Sequence, residues 1–175
     1  MPQTLAALLA ILVLSLYALG QHRSEAALER GAISGELELT VAEVAREILT
    51  EASQRAFDEA DLTRDELRFD TRGLSTMLGP EAGESTRADF DDVDDFNGYT
   101  ALVSRQRNGQ PLDVRVLVTV RYVQPDAPGS VSANPTLAKE VEVTVTDTLP
   151  VQAGRVPVAV TLNTFVTPSW QTIHG

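Results

Sequence analysis

The residues best placed to do chemistry lie in one short run: Asp89, Asp91, Asp92, Asp94 and Asp95, inside Asp89–Tyr99 (DFDDVDDFNGY). Hard cations such as calcium bind clustered carboxylates, and like charges crowded into one loop repel until something neutralises them. The spacing is not that of an EF-hand. With Gly98 on the obligatory glycine, Val93 falls on the first ligand position and Ser104 on the one that requires Glu. Two readings of Asp89–Asp95 stay open, a solvated acidic loop and a looser calcium site. No other cofactor is expected.

Other chemistry finds little to stand on. The histidines, His22 and His174, lie near opposite ends of the chain, and neither belongs to a nucleophile–base pattern. GxSxG, HExxH and phosphate-cradling Gly-rich loops are all missing, so the chain is not expected to be an enzyme. With no Cys there is neither a disulfide nor a thiolate metal site. A formal net charge of −11 repels nucleic acid and excludes it as a partner. Trp170, the only tryptophan, sits in the tail PSWQTIHG. It either packs the tail onto its own domain or meets a neighbouring subunit, where Trp is enriched.

The elements that must position these residues begin with the apolar stretch Leu5–Gly20, LAALLAILVLSLYALG. It is shorter than the roughly 20 apolar residues a straight membrane span needs. No Lys or Arg precedes it, and Arg23 and Arg30 follow it, the reverse of a signal peptide's basic leader. A leader removed upstream of Met1 would explain both the missing basic residues before the run and the basic residues after it, and is an expectation only. Gly31, Ser34 and Gly35 then mark a bendable zone. Leu37, Val41, Val44, Ala45, Ile48, Leu49, Ala52 and Ala56 recur at helical steps and form one apolar stripe. The chain thus divides into residues 1–35, an assembly or membrane segment, and residues 36–175, a globular domain.

Residues 58–98 read as an irregular loop, with a capped helical turn over Thr63–Arg68. From Tyr99 the period switches to two. Strands are expected over Tyr99–Arg107, Leu112–Val123 and Ala138–Thr148, and from Val156 to Leu162. Asn108-Gly109 turns the first hairpin, and Pro150–Arg155 turns the chain before the last strand. A Pro- and Gly-bearing loop is expected around Pro125–Pro135. The expected architecture is α+β and pilin-like: a long N-terminal helix, its hydrophobic half projecting and its amphipathic half packed on an antiparallel sheet of about four strands.

This order of elements resembles type IV pilin-like proteins across the whole chain. The stretch Asp89–Tyr99 is similar to an acidic Asp-Asp-aromatic-x-Gly segment of minor-pilin-like members. The resemblance implies a structural subunit of an extracellular, cell-surface filament. Such a subunit is membrane-inserted before assembly, served by inner-membrane assembly machinery, and then held as a helical homo-oligomer. The implied assembly interface is Leu5, Leu8, Leu9, Leu12, Val13, Leu16 and Leu19. Two departures stand out: Leu5 occupies the position where the family usually carries Glu, and the usual C-terminal disulfide loop is impossible without Cys. The rival expectations are a single-pass membrane-anchored envelope binding domain and a low-abundance pseudopilin of a secretion or adhesion machine.

Overall fold

The computed structural model describes residues 2–62, 70–107, 109–150 and 156–168. Before residue 34 the described side chains are those of Leu9, residues 11–22, Glu25 and Leu28. Helix α1 spans Pro2–Ser53 and α2 spans Glu59–Leu62; a 3-10 turn follows at Asp94–Phe96. The strands are β1 (Thr100–Arg107), β2 (Gln110–Gln124), β3 (Ala127–Val131), β4 (Lys139–Asp147) and β5 (Ala159–Val166). Two compact units divide the chain, Met1–Leu39 and Thr40–Gly175.

The first unit is helical. Pro2 opens α1 at a position whose N–H has no intrahelical partner in any case. Gly31 and Gly35, expected to loosen the chain, lie within the helix. Every residue from Ile11 to Gly20 is exposed.

The second unit is organised around β2, which is flanked by β1 and β4; β5 adds to β4, giving the order β1-β2-β4-β5. All pairings are antiparallel. Valines meet valines across the centre, Val116 opposite Val145, Val118 opposite Val143 and Val120 opposite Val141. β-branched pairs on one face of a pleat are what such a sheet favours, and burying each contributes about 1.5–3 kcal/mol. The α1 residues in this unit bury Val41, Val44, Ala45, Ile48 and Ala52 as a single stripe. On the polar side Glu47 pairs with Arg105 of β1, and Glu51 pairs with Arg87.

The fold expected from the sequence needs correction. The protein is sheet-dominated, with five strands rather than about four, and it is not a long helix laid along a sheet. The elements packed most closely are strands against one another and the 3-10 turn against β2; no helix is among those pairs. Periodicity revealed that the stripe of α1 is buried but not what buries it. The segment read as an irregular loop supplies much of the missing material, because Leu74, Phe90, Val93 and Phe96 are all buried. It is pinned along β2 by backbone bonds from Gly98 N to the Val118 carbonyl and from Val118 N to the Tyr99 carbonyl.

The additional strand, β3, arises where Pro128 and Gly129 suggested only a loop. It is short and exposed along its whole length, and it pairs with β2 through a register shift; such a marginal strand accommodates Pro. The final strand starts at Ala159 rather than Val156. Gly109 has φ +76°, as the hairpin turn requires; Asn108 lies outside the described residues. So do the turn over Thr63–Arg68, residues 151–155 of the expected last turn, Trp170 and His174.

Candidate metal centre and buried charge network

Each residue of DFDDVDDFNGY has a structural task. Asp92 Oδ1 accepts from the N–H groups of Asp94 at 2.8 Å and Asp95 at 3.3 Å, which closes the 3-10 turn. Asp95 Oδ2 reaches back to the N–H groups of Asp91 at 2.9 Å and Asp92 at 3.1 Å. Asn97 then fastens the segment at two points. Its Nδ2 donates to the Leu78 carbonyl, and its Oδ1 accepts from Val120 N of β2, both at 3.0 Å. Gly98 follows at φ +79°, a conformation that favours glycine. Phe90, Phe96 and Tyr99 meet edge to face, with ring centroids 5.1–6.4 Å apart.

These bonds sort the five aspartates of the run. Asp89 is exposed and accepts from the Thr86 N–H and hydroxyl, which hold its carboxyl below the usual range. Asp91 is exposed as well. Asp92, Asp94 and Asp95 are buried, so the picture of a solvated acidic loop fits only the first two. Burial first, then the Asp94 charge beside it, pushes Asp92 up to about 9.

Opposite them lies Lys139, the chain's only lysine, with no exposed surface. Its ammonium donates to Asp94 Oδ1 at 2.5 Å, to the Phe57 carbonyl at 2.5 Å and to Asp58 Oδ2 at 3.4 Å. Three donors thereby find three acceptors, the condition on which a buried ammonium is tolerable. The rings of Phe57 and Tyr122 lie 4.6 and 5.3 Å from Nζ and add cation–π attraction. Asp58 also accepts from Ser75 N at 2.9 Å and from the Tyr122 hydroxyl at 3.4 Å. Burial and the neighbouring Asp58 and Asp94 charges push the Tyr122 phenol above its ordinary value.

Because there is one lysine, amine chemistry reports this burial directly. Native protein treated with an N-hydroxysuccinimide ester is expected to leave Lys139 unmodified, whereas protein unfolded in guanidinium is modified there fully. Peptide mapping decides it. Equal labelling in both states refutes the buried position.

A second acidic assembly draws on three separate segments. Glu59 opens α2, Glu81 and Glu84 flank Gly83 (φ +120°), and Asp91 and Asp95 come from the aspartate run. Carboxylate oxygens of Glu84, Asp91 and Asp95 lie within 4.8 Å of one another, as do those of Glu59, Glu81 and Glu84. Partial desolvation, then contact with Glu84 and Asp95, pushes Glu81 up to about 8. Glu59 and Glu84 are also raised, first by desolvation and then by neighbouring acids, although Glu81 partly offsets the rise at Glu84.

Sequence reading reached the aspartates and missed the partners. Glu59, Glu81 and Glu84 carry no local signal, because only folding brings them together. Lys139 did leave a sign: it stands two residues before Val141, in phase with the buried valines of β4.

The expected assembly residues all belong to α1. Side chains of Leu5 and Leu8 lie outside those described, and Leu9, Leu12, Val13, Leu16 and Leu19 are exposed. Ile11, Leu14 and Tyr17, on the remaining sides of the helix, are exposed too. His22 lies 3.7 Å from Glu25, and both side chains are exposed. No protein-family model, curated protein or solved structure matches the chain.

Proposed function

We propose that this protein is a structural subunit of a pilus-like extracellular filament, polymerising through its apolar N-terminal helix. One observation carries the reading: Leu9, Ile11, Leu12, Val13, Leu14, Leu16, Tyr17 and Leu19 are 49–67% exposed. At 3.6 residues per turn they surround the helix rather than forming one stripe. An exposed apolar surface of this kind marks an interaction site. A single partner helix covers a narrow seam, whereas apolar character all round calls for cover from several sides. Identical helices gathered in a filament core supply such cover. Among the described residues no helix is long and apolar enough to cross a membrane. The acidic second unit, rich in exposed Glu and Asp, suits a solvated exterior.

The test is the full chain carrying Leu12→Asp and Leu16→Asp. Negative-stain microscopy and sedimentation are expected to find fibres of the parent protein and none of the variant. The variant's thermal melt should be unchanged, because neither residue belongs to a buried core. Intact fibres from the variant overturn the proposal. A parent that forms no fibres and instead floats with lipid vesicles identifies the membrane-anchored alternative.

A further inference from the structure

We propose that Glu84, Asp91 and Asp95 form a calcium site, with Glu59 and Glu81 closing its open side. Clustered acids alone would not carry this, since exposed carboxylates commonly gather without a ligand. What singles out the cluster is Asp95. The residue is fully buried, and while its Oδ2 is taken by two backbone N–H groups, its Oδ1 is buried with no hydrogen-bond partner. A desolvated carboxylate oxygen without a donor is costly, and a bound cation removes that cost.

The geometry and donor chemistry agree. Calcium–oxygen distances run about 2.3–2.6 Å, so oxygens on opposite sides of one ion stand nearly 5 Å apart. Three ligand oxygens within 4.8 Å of one another can therefore share an ion. All five side chains offer hard oxygen, with no nitrogen or sulfur donor to favour a transition metal. An irregular set from three loop segments suits calcium's flexible coordination better than magnesium's strict octahedron. The site's boundary is equally defined. Asp89 is occupied with Thr86, while Asp94 faces Lys139, so the cation does not belong to the aspartate run as a whole. Bound calcium ties α2, the Glu81–Glu84 turn and the 3-10 turn into one piece of surface.

The experiment uses the full chain freed of metal by chelation, titrated with calcium chloride by calorimetry and melted with and without it. One ion per chain is expected. At free calcium near 100 times Kd, a rise in Tm of about 5–10 °C follows for a chain of this size. Magnesium chloride should produce a much smaller shift. Glu84→Gln and Asp91→Asn, neither at a buried position, should each weaken calcium binding by about an order of magnitude, while Asp126→Asn, an exposed acid elsewhere, leaves it unchanged. Absence of binding heat and of any Tm shift at millimolar calcium overturns the proposal. So does calcium binding that survives Glu84→Gln and Asp91→Asn together. Filament formation plays no part in these readouts.

Discussion

Lys139→Met is expected to lower unfolding stability by about 3–5 kcal/mol, since removing one partner of a buried ion pair leaves uncompensated charge. Methionine retains much of the stem's length and its contacts with Phe57 and Tyr122, so the loss reads charge more than packing. The ammonium is the only buried cation among the described residues, and it faces both Asp94 and Asp58. Asp58 is further engaged with Ser75 and Tyr122, and Asp94 sits in a turn whose N–H groups Asp92 fixes. Neither carboxylate can swing out to water. Urea denaturation measures the effect directly. Combining Lys139→Met with Asp94→Asn should cost less than the two single losses added together, because neutralising the acid removes part of the imbalance. A single variant within 1 kcal/mol of the parent, or strictly additive losses, refutes the ion-pair account.

How far the sequence discloses such a network differs from element to element. The alternation Val114, Val116, Val118, Val120 shows β2 plainly, because a strand buried on one face repeats every second residue. The same arithmetic shows which side of α1 is buried between Val41 and Ala52. It cannot name the partner of either surface, and the expected helix-on-sheet plan failed at that point. Residues 90–99 were obscure for a different reason. Their backbone is held by side chains of Asp92, Asp95 and Asn97 rather than by a repeating ladder, so no period exists to detect. Charge misled in the same stretch, since acidic residues are rarely buried without partners. Here the partner is 45 residues further along, on β4. The carboxylates of the proposed calcium site are likewise joined by folding, with Glu59 and Asp95 at the ends of a long excursion. The apolar stretch Leu5–Gly20 was legible at once, because a run of mostly aliphatic residues needs no tertiary context to be conspicuous.

Phe96→Ala is expected to cost about 3–5 kcal/mol, the range for deleting a fully buried aromatic ring. The ring has no exposed surface and meets Phe90 and Tyr99 edge to face. It also closes the 3-10 turn, so its neighbours Asp95 and Asn97 depend on where it packs. Loss of the ring leaves a cavity between that turn and β2, and the rigid valines of β2 cannot close it without breaking their register with β4. Phe165→Ala provides the comparison: the same atoms leave an edge strand where the ring is 47% exposed, so a much smaller loss is expected there. If calcium binds at Asp95, Phe96→Ala should weaken that binding as well as stability, although Phe96 has no ligand atom. Glu84→Gln should weaken binding while leaving the metal-free protein's stability nearly intact. Measuring both quantities for both variants separates a residue that holds the site's shape from one that holds the ion. Near-equal stability losses for Phe96→Ala and Phe165→Ala would show that the aromatic cluster is not the support on which the turn is built.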